Sequence, residues 1–428
     1  MIDTTIRQVH ARRIWDSRGR PTVEAEVTLA DGSTGRGIAP AGASRGTREA
    51  LELRDGGPRL GGMNVGRAVA NVQGEIATAL QGADASMQQA IDEALIKLDG
   101  TPAKSRLGAN ATIAVSLAVL HATAASHGVP LWVHVAQDRA VTMPLPEIQI
   151  FGGGAHAGRR VDIQDFMVMP VGASTFAQAL EMTAEVYLAA GALMTEAGKR
   201  QGVADEGGYW PVFDANEEAL ETLTRAIHKA GFKGGSDMAI SLDIAASEFG
   251  SGGQYRLGLD KRTLDSAGMI DMLGRWIDAY PIVSIEDPLA EDDEAGLVEF
   301  TRRFGKRVQV IGDDYLVTSA GRVTQAAKLG ACNCALIKLN QAGTVTETYA
   351  ALLAAQAAGW SAVVSARSGE TEDVAIAHLA VGWNAGQLKV GSFARSERMA
   401  KWNEALRIEE ALGVNARFAG RSSLSLRA

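Results

Sequence analysis

The chain has 428 residues, which at about 150 residues per domain gives three units, or two if one of them is a large barrel. Hydrophobic residues make up 46% and charged residues 21%, a globular balance that excludes a disordered or fibrous chain. With 42 Lys and Arg against 50 Asp and Glu the formal net charge is -8, which argues against nucleic acid as a partner.

In chain order, the start MIDTTIRQVHARRI has no apolar run behind a basic one, so no secretory signal is expected and the localisation is read as cytoplasmic. The segment TVEAEVTLADGSTGRGIA alternates with period two on either side of Asp31-Gly32, which is hairpin chemistry. Gly42 to Gly46 (GASRG) fits a flexible loop. From Asn64 to about Ser126 the periodicity turns helical, with AVANVQGEIATAL, MQQAIDEALIKL and NATIAVSLAVLHATAA as three helices. Strands followed by helices describe an α+β domain, placed at residues 1–138. Ala109 to Gln137 carries no Asp, Glu, Lys or Arg, but His121, His127, His134, Gly128 and Pro130 make it a buried core helix rather than a membrane span.

Residues 139–428 have a different rhythm. Short apolar runs end in polar residues: AISLDIA at Asp243, IVSIEDP at Glu286, VQVIGDD at Asp313, ALIKLN at Lys338 and AVVSARS at Ser365. Amphipathic stretches such as SAGRVTQAAKLG separate them, the signature of consecutive βα units, and a parallel barrel brings such strand ends to one face. SGGQYRLGLDKRTLDS is an excursion within the repeat. Cys332 and Cys334, one residue apart, are too close for an easy disulfide and read as small buried residues entering a strand.

Three carboxylates on one face need a compensating cation, and all-oxygen ligation by Asp243, Glu286 and Asp313 points to Mg²⁺. Lys338 on the next strand sits beside that cation, which lowers its pKa and suits a general base. Metal plus lysine points to proton abstraction next to a carboxylate.

The motifs DSRGRPTVE, GASRG, LGANATIAVSLA, VDIQDFMVMPVGA, DEGG, SIEDPLAEDD, GDD, LIKLNQAGTVTET and RSGETED, in this order over nearly the whole chain, resemble the enolase family. The resemblance implies a modified (β/α)8 TIM barrel of α/β class behind an N-terminal α+β capping domain. It implies a cytoplasmic homodimer or higher homo-oligomer acting on a small phosphorylated carboxylic acid, with two Mg²⁺ per active site and no nucleic-acid or membrane partner. It also implies the roles of the matching positions. Asp243, Glu286 and Asp313 match metal ligands, and Ser44 matches a loop serine reaching the second Mg²⁺. Lys338 matches the base, Glu206 the acid that helps hydroxide leave, and Asp165 a carboxylate assisting the leaving-group side. Gln164, Arg367, Ser368 and Lys389 match substrate-binding positions, and His156 a histidine on a closing loop.

Departures from the family gather at the ligand. Ala366 stands where the family has a histidine, Asp165 is one methylene shorter than the family's Glu, and Gly152 and Ala155 replace Asn and Ser. Arg45 replaces a Thr in the capping loop and is taken as a substrate contact, while Arg159 and Arg160 add charge to the next loop. Three functional readings follow. The first is an ordinary enolase, glycolytic in role, dehydrating 2-phosphoglycerate to phosphoenolpyruvate. The second is an enzyme of phosphonate metabolism acting on a larger or more anionic phosphoryl group, resembling the carboxyphosphonoenolpyruvate synthases. The third is a catalytically weak homologue retained for binding or structural association, which predicts damage to the metal or base positions, and none is seen.

Overall fold

The computed structural model describes residues 3–424 and residue 426. Strands β1 (Ile6–Trp15), β2 (Pro21–Leu29) and β3 (Thr34–Ile38) form an antiparallel sheet in that order. The expected hairpin joins β2 to β3. Gly32 sits at φ +89°, a left-handed conformation that favours glycine, and the Asp31 carboxylate accepts from the Ser33 N–H at 2.8 Å.

Helices cover this sheet where the periodicity predicts them. The first is interrupted by a π-turn: Gly66–Asn71, Val72–Ile76 and Ala77–Leu80 follow one another. Next come Gln88–Asp99 and Ala109–Ser126. Ala109–Ser126 is long and apolar enough to cross a membrane, and 83% of it is buried inside the fold. Its surface of small residues explains how it packs. A Cβ placed on Gly35 of β3 would lie 2.1 Å from the Ala122 nitrogen and 2.3 Å from the Ala118 carbonyl oxygen. Backbone therefore meets backbone, with alanines spaced four apart to allow it.

The second part is a closed ring of eight strands: β4 (Leu145–Gly152), β5 (Asp165–Met169), β8 (Ala239–Asp243), β12 (Ile282–Glu286), β13 (Gln309–Gly312), β14 (Cys334–Ile337), β15 (Ser361–Ser365) and β16 (Gly386–Ser392), with β16 pairing back to β4. The short strands β6 (Arg200–Val203) and β7 (Tyr209–Pro211) extend from β4. The excursion after Asp243 folds as its own small sheet, β9 (Gly250–Ser251), β10 (Gln254–Leu257) and β11 (Arg262–Asp265). Ring strands covered by helices outside and side chains inside are buried on both faces, so they read as continuous apolar runs. Both cysteines are free and buried, Cys334 within β14.

The ring is not a uniform βα repeat. β5 runs antiparallel to both neighbours, β4 and β8. Its first residue, Asp165, is therefore level with Gly152 at the end of β4 and Asp243 at the end of β8, and Asp243 is level with Glu286 at the end of β12. A strand start and several strand ends meet at one mouth.

Gly35→Ala tests the backbone contact between strand and helix. It is expected to lower unfolding free energy by about 3 kcal/mol, whereas Gly74→Ala, in an exposed helical position with nothing within 4 Å, is expected to raise it by about 0.5 kcal/mol. Denaturant midpoints check both, and a neutral Gly35→Ala would refute the packing.

Candidate active site

The mouth of the ring gathers the candidate side chains. A narrow cleft is lined by Ser44, His156, Gln164, Asp165, Glu206, Asp243, Lys338, Arg367, Ser368 and Lys389, together with Ala366. Asp243 and Glu286 end their strands, whereas Asp313 and Lys338 lie one residue beyond β13 and β14. All four are buried.

The two lysines divide the acidic groups. Lys389 Nζ donates to Asp243 Oδ2 at 3.0 Å and to Glu286 Oε2 at 2.7 Å, and lies 3.8 Å from Asp165 Oδ2. Lys338 Nζ donates to Asp313 Oδ2 at 2.5 Å, while Gln341 Nε2 donates to Asp313 Oδ1 at 2.7 Å. Gln164 Nε2 donates to Asp243 Oδ2 at 2.9 Å. Burial, reinforced by the Asp243 charge, pushes the Glu286 carboxyl well above its ordinary range. Burial acts to lower Lys338, but the neighbouring carboxylates, Asp313 foremost and Glu286 with it, together hold the ammonium above its ordinary value. Among the side chains themselves the nearest charge to this lysine is a carboxylate, which favours the ammonium, whereas a cation held there would favour the amine.

Tested for a divalent ion, the residues fit. Every donor is oxygen, the set is buried, and Glu286 Oε1 has no hydrogen-bond partner, as expected of a ligand atom turned to a hard cation. The three carboxylates are spread wider than the tightest acidic groups among the described residues, which are Asp287, Asp313 and Asp314, and the set His156, Asp165 and Glu206, each with one atom per residue within 4.8 Å of the others.

That second set lines the same cleft. His156 Nδ1 lies 3.1 Å from Asp165 Oδ1 and Nε2 lies 3.8 Å from Glu206 Oε1. Burial acts to lower the imidazole, yet the charges of Asp165 and Glu206 raise it to about 9.

Arg367 and Ser368 follow β15. The Arg367 guanidinium donates to Glu49 Oε2 and Asn340 Oδ1, both at 3.0 Å, and to the Ser44 carbonyl at 2.9 Å. Ser368 Oγ accepts from Arg18 Nη1 at 3.1 Å. The capping loop thus reaches the barrel through Ser44 and Glu49.

The structure does not bring every candidate together. Arg45 is absent from the cleft lining; its side chain is 51% exposed, 3.8 Å from Glu52. Arg159 pairs with Glu248 at 2.5 Å and is 67% exposed, and Arg159 and Arg160 border a separate groove beside Trp210. Gln149, Glu49 and Gln341 were missed in the sequence. The only signal for Gln149 is a polar residue inside the apolar run LPEIQIFG.

Comparison with known proteins agrees with this geometry. Residues 6–135 match the enolase N-terminal domain and residues 140–426 match the enolase C-terminal TIM barrel domain. A curated relative, Enolase 1 of Desulfitobacterium hafniense (strain Y51), is 50% identical over 416 residues, covering 96% of this chain and 95% of that protein. A two-part match over nearly all of the chain, with the fold to carry it, shows that the chain belongs to the enolase family and is an enolase-type lyase.

Proposed function

We propose that the protein dehydrates 2-phosphoglycerate to phosphoenolpyruvate in a Mg²⁺-dependent reaction, as a cytoplasmic homo-oligomer whose cap is residues 1–138 and whose barrel is 139–428. The observation that carries this reading is the mouth itself. A buried lysine lies within reach of an oxygen-only carboxylate set, in a cleft also lined by Glu206, His156 and Asp165.

Lys338 takes the C2 proton of the substrate on its Nζ. The electron pair left on C2 forms the C2–C3 double bond as the C3–O bond breaks, and Glu206 donates a proton so that the hydroxide leaves as water. Asp243, Glu286 and Asp313 would hold one Mg²⁺ and Ser44 would reach a second; bound there, the metal would supply positive charge for the substrate carboxylate and draw on the Asp313 charge that otherwise favours the Lys338 ammonium. Arg367 and Ser368 take the phosphate and Lys389 faces the carboxylate side. Gln164 is placed by its bond to Asp243. The reading of a larger, more anionic phosphoryl ligand loses its main support, because Arg45 and Arg159 are turned to Glu52 and Glu248.

Purified protein is expected to form the enol product from 2-phosphoglycerate with Mg²⁺, to stop on chelation and to recover when Mg²⁺ is restored. Absence of turnover by the wild type refutes the proposal. Lys338→Ala should lower kcat by about 10³-fold and stop exchange of the C2 proton with solvent. Glu206→Gln should lower kcat comparably while leaving that exchange in place. Exchange by Lys338→Ala at the wild-type rate would remove Lys338 as the base.

His156 provides a pH test. Its folded pKa of about 9 lies above the ordinary 6.5, so its ion pairs contribute stability that is complete below about pH 6.5 and lost as pH rises through about 9. With chelator present, the stability difference between wild type and His156→Gln should shrink over that window in denaturant titrations. A constant difference would contradict a charged imidazole.

A further inference from the structure

We propose that Gln149 is a positioning residue, holding the Asp165 carboxylate and the turn that carries Glu206 in one rigid frame; this rests on the dehydration reading above. Gln149 lies inside β4 and is 1% exposed. Its Nε2 donates to Asp165 Oδ1, and its Oε1 accepts from the Gly208 N–H at 2.8 Å. One side chain thus uses both ends of its amide on two separate pieces of chain, the start of β5 and the Asp205–Gly208 turn. It does not line the cleft, so it acts only through the groups it holds.

The consequence for Asp165 is directional. Its Oδ1 takes the Gln149 amide and lies 3.1 Å from His156 Nδ1. Its Oδ2 is buried with no hydrogen-bond partner and lies 3.8 Å from Lys389 Nζ. Rotation of the carboxylate would exchange a doubly engaged oxygen for a free one, and the Gln149 amide opposes it. The oxygen without a hydrogen bond is left toward the Lys389 ammonium.

The surroundings are fitted to the length of this side chain. A Cβ on Gly208 would lie 2.4 Å from Gln149 Oε1, and a Cβ on Gly152 would lie 2.5 Å from Ala204 Cβ and 3.3 Å from Gln149 Nε2. Both glycines leave room for the amide. A long Gln149 reaches diagonally across the β4–β5 pairing to a short Asp165, so moving one methylene from Gln149 to Asp165 should restore the contact.

The test compares wild type, Gln149→Asn, Asp165→Glu and the double variant Gln149→Asn/Asp165→Glu in steady-state kinetics with 2-phosphoglycerate and Mg²⁺, folding being checked by circular dichroism and thermal melting. Each single variant should lose about tenfold or more in kcat with KM changed by no more than about threefold, because a small misplacement acts on the reacting geometry. The double variant should return to within about threefold of wild type. A Gln149→Asn protein with wild-type kcat overturns the proposal. So does a double variant whose loss is the product of the single losses, or one in which only melting temperature changes. Wild-type turnover is measured first. If it is absent, the dehydration reading fails, and the frame is read from the His156 imidazole by NMR without turnover. Its titration midpoint should shift in Gln149→Asn and return in the double variant; an unchanged midpoint overturns the frame independently.

Discussion

The molecule is organised around the need to keep charges apart from water without leaving them unpaired. Removing a carboxylate from water costs several kcal/mol even after relaxation, and the barrel mouth buries Asp243, Glu286 and Asp313 together. Lys389 answers two of them and Lys338 the third. That pairing commits both lysines. A partnerless Glu286 oxygen and a Lys338 fixed to Asp313 are what remain, an arrangement whose unmet demand is for a compact cation.

The reversal of β5 decides which side chains that strand contributes to the mouth. In a uniform βα ring every functional group would be offered from a strand end and from the loop behind it. Because β5 enters the mouth where its neighbours leave it, Gln164 and Asp165 are presented by the strand start. They stand beside the loop that carries His156. The cap supplies the remaining edge, where Ser44 and Glu49 meet the Arg367 guanidinium.

Much of this was legible before the structure. Strand-end carboxylates at βα spacing located Asp243, Glu286 and Asp313, since a periodic pattern fixes which residues share a face. The hairpin at Asp31-Gly32 and the buried helix Ala109–Ser126 followed from turn chemistry and an unbroken apolar composition. The direction of β5 did not, because an apolar run such as FMVM reads the same both ways. Arg45 was drawn toward the ligand by its charge, but charge in a loop carries no direction, and the side chain settles by Glu52. For Lys338 the strand spacing gives a lysine beside an acidic set, but not the pairing of its ammonium with Asp313, which depends on side chains brought together from neighbouring strands. The pairing of Glu49 with Arg367 joins residues 318 apart, beyond the reach of any local pattern.

The ring closes only when β16 pairs with β4, and β16 carries Lys389. The last strand of the barrel to leave a ribosome is therefore also the one that neutralises Asp243 and Glu286. Until it docks, Asp243 and Glu286 lack that ammonium, so the charge balance of the mouth is completed only by the strand that closes the ring. Long-range pairing of this kind forms slowly.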